Sequence, residues 1–177
     1  MKWKNLACGT TFFITATITQ WQPLLDVPWA RDIVLRDLQF YREKYGCKIL
    51  AYVIMPEHYH LVIDFHRAED LHGWLHDVQS HTANELAKRL RNTLSAEQLA
   101  VYAKHANGPA KIAVWKEQAR ALGIISGSML RTRIDYIHKN PVDANLVNDP
   151  SLWPWSSWRN YYLDDDSILR VDRVELL

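Results

Sequence analysis

Two β-rich runs separated by two residues constrain this chain most. Cys47–Met55 (CKILAYVIM) and His58–Phe65 (HYHLVIDF) are dense in β-branched and aromatic residues. Pro56-Glu57 between them reads as a turn, because proline has no N–H to give a ladder. A hairpin is expected, and other elements fall around it. Thr11–Thr19 (TFFITATIT) reads as an earlier strand. Pro28 and Trp29 open a helical stretch to about Tyr45, with Ile33, Leu35, Leu38 and Tyr41 at apolar spacing and Gly46 as its stop. Leu71 to about Leu90 repeats the helical period. Asn92–Pro109 reads as loop or broken helix with Gly108-Pro109 as the break, and Lys111–Trp115 (KIAVW) as a fourth short strand. A last helix is expected from about Met129 to Lys139, closed by Asn140-Pro141. The order strand, helix, strand, strand, helix, strand predicts an α+β fold: a ferredoxin-like antiparallel sheet with helices on one face, plus the late helix.

Composition excludes several classes. At 177 residues, 48% apolar and 23% charged, the chain is neither disordered nor a coiled coil, and its length favours one domain over 1–177. Apolar runs such as Ile49–Pro56 are too short for a membrane span, and no basic–apolar–small pattern at the N-terminus reads as a signal peptide. Two cysteines, Cys8 and Cys47, with no C-x-x-C argue against a disulfide framework or a cysteine zinc site and fit a reducing cytoplasm. The net charge of +1 is unevenly distributed. Residues 86–140 hold ten Lys/Arg against three Asp/Glu, between two mildly acidic segments. Such a block is either a solvated face or a phosphate-facing stripe.

Two constellations carry chemistry. His58 and His60 alternate with Tyr59 along a strand, so both imidazoles point to one face while Tyr59 points to the core. Two imidazoles so placed can chelate one divalent ion, or merely hydrogen-bond on a sheet face. The rival histidine motifs are absent: position 62 is Val62 rather than a third His, and there is no H-x-[ST] pair, P-C-x-x-C or H-E-x-x-H. On the late helix, spacings of three and four place Arg133, Tyr136 and Asn140 on one face, apart from the apolar stripe Leu130, Ile134 and Ile137. That arrangement suits a tyrosine nucleophile beside a metal-binding carboxamide, or a packed Tyr beside a C-capping Asn.

MPEHYH, then YIHKNPVDANLV, then WPWSSWRNYY resemble, in order and spacing, the single-tyrosine HUH transposases, and most of all the REP-associated tyrosine transposases. The resemblance spans about Thr11 to Tyr162. It implies a catalytic core of about 11–145 and an aromatic, then acidic, tail of about 146–177. His58, His60 and Asn140 are then metal ligands for Mg²⁺ or Mn²⁺, and Tyr136 is the nucleophile. The implied function is a metal-dependent single-stranded DNA endonuclease and strand transferase, acting through a 5′-phosphotyrosine on hairpin-forming repeat DNA. The implied setting is the bacterial cytoplasm, on the nucleoid when DNA is bound, as a monomer or homodimer. The alternative is a domesticated DNA-binding protein on the same fold without turnover; a metal-binding protein with no nucleic-acid role is a third reading. Lys88, Arg89, Arg91, Arg131 and Arg133 are candidate phosphate contacts, with His81 and Asn84 near them. Trp153, Trp155 and Trp158 would stack on unpaired bases or plug the core, and Glu57 would orient a His ring or simply make the turn. The chain departs from the family where Glu57 replaces an Asn or Asp, where Asn145 replaces a Gly at a turn wanting φ > 0, and where Lys116–Arg120 (KEQAR) replaces an aromatic-basic stretch.

Overall fold

Strand β1, Thr11–Thr17 (TFFITAT), is rich in Thr, Phe and Ile and is the central organiser of a computed structural model that describes residues 9–104 and 111–175. After two 3₁₀ turns come helix α1 (Pro28–Tyr45), strand β2 (Lys48–Ile54), strand β3 (His58–Asp64) and helix α2 (Asp70–Thr93). Pro28 occupies the first turn of α1, where its missing N–H costs nothing. Gly46 ends it at φ 59°, donating to Arg42 and Glu43 carbonyls. A short helix α3 (Ala96–Ala100), capped reciprocally by Ser95 and Gln98, leads into strands β4 (Ala103–Lys104) and β5 (Lys111–Ile112). Strand β6 (Arg120–Gly123), helix α4 (Gly127–Asp143) and helix α5 (Trp158–Tyr162) complete the order.

The main sheet is antiparallel in the order β2-β3-β1-β6, the ferredoxin-like arrangement expected. Alternation divides its side chains between two cores. Ile14, Ala16, Ile49, Tyr52, Tyr59, Leu61 and Ile63 face α1 and α2. Phe13, Ala51, Val53, Met55 and Val62 face the opposite way and are covered by Leu130, Ile134 and Ile137 of α4. A bulge between Ile49 and Ala51 turns Leu50 to the α4 side as well. The helix added to the ferredoxin-like pattern thus lies on the face of the sheet that α1 and α2 leave open.

Three expectations are corrected. Lys111–Trp115 is not the fourth strand of the sheet. Lys111–Ile112 pairs with Ala103–Lys104 in a separate ribbon, and Trp115 meets the sheet through a single bridge to Ile18. The apolar run serves burial instead: Val114 and Trp115 enter the core, and Trp115 Nε1 donates to Thr82 Oγ1 at 3.0 Å. The true fourth strand, β6, pairs on one side only and is mostly exposed, so it carries no apolar alternation to find. The late helix begins at Gly127, capped by Ser126 Oγ accepting from Met129 N–H, and runs through Pro141 to Asp143. So near the helix end, the missing proline N–H forfeits one bond, to the Ile137 carbonyl, and the chain continues helically. Asn140 is therefore inside the last turn, not at the terminus. Asn145 then takes φ 57°, the left-handed turn its position wants. The region read as loop is partly helical, through Thr93 and again in α3; Gly108-Pro109 and Cys8 lie outside the described residues.

The tail is structural. It lies along the outer edge of β2: Ile54 N–H donates to the Trp155 carbonyl, Ser157 N–H to that of Tyr52, and Asp172 N–H to that of Ile49. Trp153 Nε1 donates to the Ile54 carbonyl, Trp155 lies under the Arg31 guanidinium at 3.6 Å, and Trp158 stacks on Tyr162. Trp153 and Trp155 thus follow the plug reading, each packing against a core, while Trp158 joins neither core. No helix among the described residues is long and apolar enough to cross a membrane.

Ile134 is fully buried between α4 and the sheet. Ile134→Ala should lower unfolding free energy by about 2–5 kcal/mol in urea titration. A loss under about 1 kcal/mol would mean that α4 is not seated on this face.

Candidate active site

The register of β1 on β3 builds the site. Thr15 lies opposite His60 and Thr17 opposite His58, and all four belong to the α4 face by alternation. His58 and His60 bring their Nε2 atoms to 3.1 Å of one another. Each Nδ1 is held from behind: that of His58 by Glu57 Oε1 at 3.0 Å, that of His60 by Thr15 Oγ1 at 2.8 Å. The Glu57 carboxylate only accepts, so neutral His58 carries its proton on Nδ1 and turns the Nε2 lone pair inward. The Thr15 hydroxyl donates or accepts, so His60 can take either tautomer.

Burial lowers both imidazole pKa values. For His58 it outweighs the opposing pull of Glu57. For His60, burial first and then the neighbouring His58 and the Arg133 guanidinium bring the pKa to about 3. Both rings are therefore neutral at pH 7 and offer lone pairs. Two lone pairs do not rest against each other at 3.1 Å; with Thr15 Oγ1 donating to its Nδ1, neutral His60 carries its proton on Nε2 and donates to His58 Nε2.

Helix α4 supplies the second half. The Tyr136 hydroxyl lies 3.4 Å from His60 Nε2, and its ring packs edge-on against His60 and Phe13. Phe13 stacks on His60 from below and carries the Arg133 guanidinium 4.8 Å over its ring. Tyr136 is 39% exposed, open to a ligand above it. Asn140, one turn further on, is 8% exposed, and its carboxamide has no hydrogen-bond partner among the described residues. Two imidazole nitrogens alone are not the donors a hard divalent ion prefers, so the Asn140 oxygen, which no contact among the described residues ties to them, would have to join them for Mg²⁺ or Mn²⁺ to be held. Among the described residues, the histidine pair included, no group of three or more His, Cys, Asp and Glu side chains is placed to hold a metal ion.

The structure brings together His58, His60, Tyr136 and Arg133, which the sequence placed on separate elements. It does not bring the basic block together. Lys88, Arg89 and Arg91, with His81 and Asn84, are on α2, in the layer across the sheet from Tyr136. Arg89 lies over Trp29, and His81 Nδ1 pairs with the buried Asp37 at 2.7 Å. Arg131 is exposed on α4. A charge run continuous in sequence is split because the chain crosses from one face to the other between α2 and α4. Thr15 and Phe13 were not found from sequence. Their roles follow from β1 pairing with β3, and the hydrophobic pattern alone does not name a strand's neighbour.

Thr15→Val removes the hydroxyl and keeps the shape. The ¹⁵N imidazole spectrum should show His60 redistributing between tautomers while His58, held by Glu57, stays protonated at Nδ1. A His60 spectrum identical to wild type would show that Thr15 does not fix that ring.

Comparison with known proteins bears on the fold. No curated protein matches the chain. Among solved structures, the chain is similar to a REP-associated tyrosine transposase bound to a REP hairpin, with a TM-score of 0.67 and 17% identity over 100% of this chain and 93% of that one. It is also similar to a transposase-assigned protein of Deinococcus radiodurans R1, with a TM-score of 0.50 and 14% identity over 77% of this chain and 95% of that one. At these identities the likeness is one of fold. Residues 27–103, which hold the histidine pair but not Tyr136, match the family model described as IS200-like transposase, so the chain resembles the single-tyrosine transposases by sequence across its hairpin and by fold throughout.

Proposed function

We propose that this protein nicks and rejoins single-stranded DNA, acting on hairpin-forming strands through a covalent Tyr136 intermediate. One observation carries the reading: the Tyr136 hydroxyl is 3.4 Å from an imidazole nitrogen that itself faces a second imidazole at 3.1 Å. A tyrosine that only packs has no need of that pair. The hairpin-bound structural neighbour supports a DNA hairpin as the substrate class.

In the reaction, Tyr136 Oη attacks phosphorus. The Oη–P bond forms as the P–O3′ bond breaks, and the electron pair stays on O3′. The phenol proton passes to water at the exposed ring, and O3′ takes a proton to leave as a 3′-hydroxyl. One phosphoester replaces another, so attack by a different 3′-hydroxyl restores the strand. His58, His60 and Asn140 would hold Mg²⁺ or Mn²⁺, and because all three donors are neutral, the bound ion would bring its full charge to polarise the scissile phosphate. Arg133, held over Phe13, is placed to neutralise phosphate charge beside Tyr136.

Tyr136→Phe removes one oxygen and keeps the ring against Phe13 and His60. With Mg²⁺ and a panel of imperfect-palindrome single strands, wild type should form a covalent protein–DNA band and the variant none, with DNA affinity within a few-fold. An adduct in the variant would exclude Tyr136 as nucleophile. Tight binding with no wild-type adduct on any strand would favour the non-catalytic DNA-binding reading. The salt dependence adds a separate test of placement. Arg133→Gln should reduce the slope of log affinity against log salt by about 0.7, one single-strand phosphate contact. An unchanged slope would remove Arg133 from the DNA interface.

A further inference from the structure

A second feature stands beside the histidine pair. Trp21 is 56% exposed, yet its ring meets the His58 ring edge-on with centroids 6.1 Å apart. It is presented by two successive left-handed residues, Gln20 at φ 50° and Trp21 at φ 55°. Neither is glycine, and L-residues disfavour this conformation, so the turn holds the indole out at a cost that packing does not explain. The Lys116 ammonium lies 5.4 Å over the ring. Between Trp21, the strand residues Thr15 and Thr17, and Lys116, Gln118 and Arg120 lies a cavity of about 160 Å³. Thr15 is the residue that holds His60, so the cavity and the histidine pair share a wall.

The cavity suits a base more than a phosphate. An exposed indole face stacks on any nucleobase, hydroxyls and a carboxamide meet its polar edge, and the two cations compensate a strand's charge nearby. Glu117, on the same rim 3.6 Å from Arg120, disfavours seating a phosphate inside. Direction follows from the order of the rings. Tyr136 touches His60, His60 touches His58, and His58 touches Trp21, at 5.2, 4.7 and 6.1 Å. Attacking and leaving oxygens in phosphoryl transfer are roughly in line across phosphorus. With Tyr136 at one end of this row, the leaving oxygen points to the other, toward Trp21.

We infer that the Trp21 cavity receives the unpaired base of the nucleotide whose 3′-oxygen leaves. This rests on the reaction proposed above and adds the side of the cut that the protein grips. Holding that base keeps the released 3′-hydroxyl beside the phosphotyrosine, ready for the reverse attack. Trp21, with Lys116 and Gln118 beside it, is then a substrate-positioning group.

The test is a coupling experiment. Once the cut is mapped, a single abasic residue is stepped across it in a fluorescein-labelled imperfect-palindrome strand. Affinity is read by anisotropy in EDTA and adduct formation in Mg²⁺, for wild type, Trp21→Ala and Trp21→Phe. The abasic residue at the leaving nucleotide should weaken wild-type binding about tenfold, the scale of one lost stacking contact. It should add nothing in Trp21→Ala, and Trp21→Phe should recover most of the effect. An abasic penalty undiminished in Trp21→Ala, or one that peaks on the 5′-phosphate side of the cut, would overturn the inference while leaving the reaction intact. Coupling to Trp21 without any adduct would overturn the reaction and, with it, the leaving-nucleotide assignment.

Discussion

Everything at the site depends on one register, that of the central strand pair. Thr15 opposite His60 and Thr17 opposite His58 put the histidines, their hydroxyl support and Phe13 on the same face. Side chains alternate along a strand, so a slip of one residue would turn both imidazoles into the α1–α2 core and bring Tyr59 out to Tyr136. The apolar residues that alternate with the site residues prevent it. Ile14, Ala16, Tyr59 and Leu61 are fully or almost fully buried against α1 and α2, and none would tolerate exposure in exchange. The hydrophobic effect on one side of the sheet thus fixes the chemistry on the other.

That chemistry uses contrasting supports for two similar rings. Glu57 can only accept, and it fixes the His58 proton outward. Thr15 leaves His60 free to adjust. Burial strips both rings of charge, and Arg133 adds to this at His60. Neutral nitrogen donors and nearby cations together leave the site receptive to an anion, where a carboxylate cage would repel one.

The sequence disclosed the parts whose signal is local. The hairpin around Pro56-Glu57, the Gly46 stop and the paired face of His58 and His60 were all legible because turn chemistry and strand alternation act within a few residues. The late helix was legible in its face, carrying Tyr136 away from Leu130, Ile134 and Ile137, but not in its end, because a proline in a last turn forfeits only one bond. The fourth strand was misread because apolar density marks burial, and Val114 and Trp115 are buried without being laddered, while Arg120–Gly123 is laddered without being buried. The basic block misled for a related reason. Lys88 and Arg133 are 45 positions apart, and nothing between them in the sequence announces that the chain changes sides of the sheet.

The tail along β2 has a consequence for how the molecule behaves in company. A seven-residue strand with six buried positions, left with free N–H and C=O groups, would be a template for association between copies. Trp155, Ser157 and Asp172 occupy those groups along the outer side of β2. The other margin of the sheet is β6, four residues long, opened by the charged Arg120 and followed shortly by the helix cap at Ser126. A sheet sealed along its greasy margin and left open along a short, charged one resists stacking onto itself, which keeps copies of the chain apart.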